Sequence, residues 1–120
     1  MGYKEALEKA GATVHAFEYF GDYQGSWYAY VSYSGKIGWV QGAFGSCSHC
    51  DAFQNEFDMC YSDITDEEYQ NKLYLFGEQY LKFIDSTESI LEKLNQSKDW
   101  DLEADKIILW VENSVKNYKN

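Results

Sequence analysis

The sequence has no arginine, no proline, only three cysteines and two histidines, and no apolar run of the length a bilayer span needs. Each absence removes a class of function. All ten basic residues are lysine, so no guanidinium fork is present to grip phosphate or a guanine edge bidentately. With twenty acids the net charge is −10, a sign that repels a polyanion, so direct nucleic-acid binding is excluded as an expectation. A membrane span requires about 18 to 20 apolar residues, and the N-terminal MGYKEALEKA has no signal-peptide core, so a cytoplasmic location is expected. Position six is Ala6, so the myristoylation pattern also fails. No repeat or low-complexity stretch marks a linker, and no glycine-rich loop ends in Lys-Ser or Lys-Thr as a P-loop does.

What remains is a chain of 120 residues with 45% hydrophobic and 18% aromatic content, enough to bury the core of one domain spanning 1–120. Lys4 to Lys9 reads as a short helix ended by Gly11. TVHAFEYF (13–20), SWYAYVSYS (26–34) and KIGWVQGAF (36–44) are rich in aromatic and β-branched residues and are separated by GDYQG and SG turn signals. They are expected to form a three-stranded antiparallel meander over 13–44, with Gly35 at a turn position of positive φ. Alternation places Trp27, Ala29, Val31 and Tyr33 on one face and Tyr28, Tyr30 and Ser32 on the other. One face is expected under helices and the other to offer an exposed aromatic surface. Further on, Thr65 with Glu68 fits a capping box and Ile64 with Tyr69 a hydrophobic staple. A long helix should start there with the stripe Tyr69, Leu73, Phe76, Tyr80 and Phe83, followed by helices near 87–94 and 101–118. Strands first and helices after predict an α+β fold, with a Cys-rich loop and short helix over 45–60 and helices over 65–118.

GSCSHCDAF (45–53) carries the chemistry. In a reducing compartment a Cys-x-x-Cys spacing points to metal or redox chemistry before a structural disulfide. Cys47 and Cys50 have the spacing of a zinc knuckle, and Cys60 follows a segment, DAFQNEF, that can form about two helical turns and bring the chain back. A closed structural zinc site needs a fourth ligand. His49 is favoured, with Asp51, Asp58 or water as alternatives; His15 is placed by the meander at the opposite end of a strand about 30 Å long. The competing reading makes the three thiols small buried hydrophobes. A thioredoxin-like redox site fits poorly because the motif follows a hairpin and not a strand opening a βαβ helix. Nor does a Cys–His nucleophilic pair find a third member, and paired acids such as Glu67 and Glu68 read as solvated helix faces, so no enzyme is expected.

FGDYQGSWYAYVSYSGKIGWVQGAFGSCSHCDAFQNEF, followed by capped helices in a short acidic chain, resembles small proteins carried by phages and mobile elements of low-GC bacteria. Among these it resembles the anti-CRISPR proteins that inhibit Cas9, in particular the metal-containing kind, most strongly over Gly21 to Cys60. The resemblance carries over no binding residue. It implies a non-enzymatic inhibitor in the bacterial host cytoplasm that occupies or flanks a basic nucleic-acid channel and blocks DNA loading, with Zn2+ as a structural ion. Trp27, Tyr28, Tyr30 and Trp39 are the aromatic anchors expected for such a contact where they are exposed. The alternative is a bacterial zinc-stabilised protein-binding domain unrelated to CRISPR, whose acidity serves solubility.

Overall fold

The computed structural model describes residues 2–21, 25–45, 65–99 and 103–119. Their order is α1 (Tyr3–Lys9), β1 (Thr13–Gly21), β2 (Gly25–Tyr33), β3 (Lys36–Phe44), α2 (Asp66–Leu81), α3 (Thr87–Ser97) and α4 (Ala104–Lys119). The strands form one antiparallel sheet in the order β1-β2-β3, as the sequence leads one to expect, and the fold is α+β. Tyr33 pairs with Lys36 across a two-residue loop in which Ser34 has φ 51° and Gly35 φ 80°. Positive φ at both central residues is the type I′ geometry, whose twist matches that of the strands it joins.

The helices do not share one face of the sheet. Tyr3, Ala6 and Leu7 of α1 and Leu73, Phe76 and Leu81 of α2 pack on Trp27, Ala29, Val31, Val40 and Phe44. On the opposite face, Ile90 and Leu94 of α3 and Ile107 and Val111 of α4 cover Phe20, Tyr28, Tyr30 and Trp39. The expectation of a single covered face is therefore corrected: β2 is a central strand with helices above and below, and its aromatic content on both faces is what such a strand requires. The alternation itself stands, since odd positions from Trp27 enter one core and even positions from Tyr28 enter the other.

Helix α2 starts where its cap chemistry places it. Thr65 is the N-cap, extended in backbone, and its Oγ1 accepts from the Glu68 amide at 3.1 Å. Ile64, the proposed staple partner, lies outside the described residues. Leu73 and Phe76 of the predicted stripe are buried, but Phe83 follows the end of the helix and is 78% exposed, so it is not part of the core face. Gly77 permits the close crossing of α1 and α2: a Cβ there would collide with the Ala6 carbonyl. Beyond β3, Trp39 N donates to Asp85 O at 2.7 Å and Asp85 N to Trp39 O at 2.8 Å, so the α2–α3 connection pairs with that sheet edge.

Candidate functional site

All four aromatic residues expected as partner anchors are core. Trp27 and Trp39 have no exposed surface, and Tyr28 and Tyr30 retain 7% and 5%. The correction has a simple cause: each face of β2 lies beneath a helical layer, so Trp27 on one side and Tyr28, Tyr30 and the neighbouring Trp39 on the other are kept from solvent. Trp39 also donates its indole N–H to Thr87 Oγ1 at 3.0 Å, fixing β3 to the start of α3. Cys47, Cys50, Cys60 and His49 lie outside the described residues. Among the described residues, no group of three or more His, Cys, Asp or Glu is arranged to hold a metal ion.

The strand register places the other histidine. Phe44, three residues before Cys47, pairs with Gly25 at one end of β2, whereas β1 pairs Thr13 with Ser32 at the other end. His15 is therefore at the opposite end of the sheet from the chain leaving β3, as the meander argument required. It sits in a β-bulge. Val14 pairs with Val31 and Ala16 with Tyr30, leaving His15 as the extra residue, so Val14 joins one core and Ala16 the other. The bulge directs the imidazole toward α4, with its ring 4.5 Å from that of Tyr118 and its Nε2 2.7 Å from Ser32 Oγ. Tyr30 lies below, and its phenol is pushed up from its ordinary pKa first by burial and then by the neighbouring Tyr118. Ser32 and His15 thus make a cross-strand hydrogen bond, and no carboxylate among the described residues orients the ring as a triad would require.

Surface grooves among the described residues include three of note. One of about 470 Å³ lies between Lys9 and the first turns of α2, where Tyr74, hydrogen-bonded to Glu78, has its phenol raised by that bond and then by the carboxylate charge. A second, of about 450 Å³, lies beside the Ser34 turn and Phe83. The third, of about 550 Å³, runs between β1 and α4 and is lined by His15, Phe17, Trp110, Ser114, Asn117 and Tyr118. Nothing in the sequence marked this groove, because it depends on the bulge and on α4 crossing the edge strand.

Charge along the chain is uneven. Between Lys36 and Lys72 there are seven acids, from Asp51 to Glu68, and no lysine, so seven of the ten excess negative charges fall within 18 residues. The rest of the chain carries thirteen acids against ten lysines. No helix among the described residues is long and apolar enough to cross a membrane. Comparison of the chain with protein-family models, with curated proteins and with solved structures returns no match.

Proposed function

We propose that this protein is a non-enzymatic inhibitor that binds a basic, nucleic-acid-handling protein, for which Cas9 is the candidate suggested by the resemblance of Gly21 to Cys60 to metal-containing anti-CRISPR proteins. The observation that carries the reading is the segregation of charge into Asp51–Glu68. Acidity needed only for solubility has no reason to be concentrated; a positively charged channel that normally holds nucleic acid is the kind of surface a concentrated acidic segment fits. Cys47, Cys50 and Cys60, with His49 as fourth ligand, hold Zn2+ in or beside this stretch. The ion's role is to fix the loop in one shape before binding, which lowers the ordering cost of association.

Two measurements test the reading. Purified chain added to a Cas9–guide complex before target DNA should prevent DNA loading, and added after loading it should act weakly. Equal DNA loading with and without excess chain would remove Cas9 as the target. Separately, protein purified without chelators should contain about one equivalent of zinc, and Cys47→Ser or Cys50→Ser should lose it, since thiolate ligands supply the site. Less than about a tenth of an equivalent would return the thiols to packing roles.

A further inference from the structure

The sheet has two edges, and they are treated differently. On the β3 side Asp85 pairs with Trp39, while among the described residues no strand pairs with the outer side of β1. Beyond the bulge at His15 the segment Thr13–Gly21 contains neither lysine nor proline, two of the residues that block strand addition at an edge. Its one charged residue is Glu18, whose Oε1 accepts from the Tyr19 amide at 3.2 Å. A carboxylate that takes the Tyr19 N–H marks that amide as facing away from β2. In an antiparallel ladder outward-facing residues alternate, so the Phe17 N–H and C=O also face outward. Phe17 borders the 550 Å³ groove, whose far wall is α4 with Trp110, Ser114, Asn117 and Tyr118.

We propose that this edge and groove together form a docking site for an extended segment of the basic partner, which adds as a short strand along β1 at Phe17 and places one arginine or lysine side chain in the groove. The backbone contact supplies affinity without regard to sequence, and the groove supplies the choice of side chain. Its chemistry suits a cation. Trp110 and Tyr118 present aromatic rings, and Asn117 carries an amide oxygen. The Ser114 hydroxyl donates to Trp110 O at 2.8 Å and so keeps its lone pairs for a donor in the groove. The Glu18 carboxylate lies at the same outer edge, next to the groove residue Phe17. No lysine is among the groove's lining residues: Lys106 lies 4.0 Å from Glu103 and over the Phe20 ring, and Lys116, which precedes Asn117, does not line it. A volume of this size accommodates a long side chain with its neighbouring backbone.

The proposal rests on the reading that the partner is basic, and the test separates the two. The full chain, labelled with nitrogen-15, is titrated with a blocked heptapeptide, Thr-Val-Thr-Arg-Thr-Val-Thr, and with its twin carrying Glu in place of Arg. Saturable shifts at the Phe17 amide and the Trp110 indole, roughly tenfold weaker for the Glu peptide, are expected. Ser114→Arg, which fills the groove with a like charge, should abolish them, and Asn117→Ala, at an exposed position, should weaken them with the melting temperature unchanged. No shift at millimolar peptide, equal binding of both peptides, or shifts that survive Ser114→Arg would overturn the site. Shifts at Phe17 that grow with chain concentration alone would overturn it in favour of a second copy at the edge. If purified Cas9 binds wild type and Ser114→Arg equally, the groove fails and the partner reading stands; if the peptide binds and Cas9 does not, the groove stands and Cas9 fails.

Discussion

Two tryptophans show how one residue type serves two different ends in this fold. Trp39 has its indole N–H satisfied by Thr87, whereas Trp27 Nε1, equally buried, has no hydrogen-bond partner among the described residues. Trp27 is surrounded by rings instead: Tyr3 and Tyr80 lie 5.0 Å from it and Phe17 is stacked at 5.6 Å. The Nε1 edge of the ring lies against Gly42, where an added Cβ would come within 2.6 Å of it. Tyr30 gives a prediction at the same scale. Its phenol is raised by burial and by Tyr118, so the folded state holds the proton at a pH where the unfolded chain, near 10, releases it. The sign follows directly: this contribution is complete below pH 10 and is lost as pH rises through the raised value. Tyr30→Phe should therefore flatten the alkaline limb of stability, measured by denaturant unfolding between pH 8 and about 11. An unchanged limb would place the titration elsewhere.

At the scale of elements, local signals were legible and the layering was not. Strand bounds, the Ser34–Gly35 hairpin and the Thr65 cap each depend on chemistry within a few residues, and each appears as the sequence implies. Whether the second aromatic face of β2 meets helix or water depends on where α3 and α4 pack, which periodicity does not encode. A strand apolar on both faces was itself the available signal, since sheets covered on both sides read that way. The bulge at His15 was invisible for a similar reason: one inserted residue is a property of the β1–β2 pair and not of β1. Gly77 shows the same limit and yields a test. In an exposed helix interior, Gly→Ala gains about 1 kcal/mol from propensity. Here the added Cβ meets the backbone carbonyl of Ala6, which no side-chain rotation relieves, so α1 must move away from α2. Overpacking of this kind costs about 1–3 kcal/mol or more and outweighs the propensity gain, so Gly77→Ala should lower stability. A stabilised variant would show that α1 is held far more loosely than its buried Tyr3, Ala6 and Leu7 imply.

For the whole molecule, the deciding quantity is where the charge lies. Aromatic residues fill the two cores of this chain, so on the proposed reading recognition falls to the acidic stretch and to the β1 edge. These two act at different distances. Seven concentrated charges would act over the Debye length, about 8 Å at physiological ionic strength and about 3 Å at 1 M, and so govern encounter with the proposed partner; the proposed strand addition would act at contact and govern residence. The association rate with Cas9 should accordingly fall by about tenfold or more between 50 mM and 500 mM salt, while the dissociation rate changes little. Converting Asp66, Glu67 and Glu68 to their amides should slow association in the same way and blunt the salt dependence, because these three acids belong to the concentrated set. They also occupy the first turn of α2, where negative charge favours the helix dipole, so a loss of a few tenths of a kcal/mol in stability is expected beside the kinetic effect and is checked by denaturant unfolding. An association rate indifferent to salt in both proteins would remove the acidic stretch as the steering element and leave the β1 groove as the sole support for an interface.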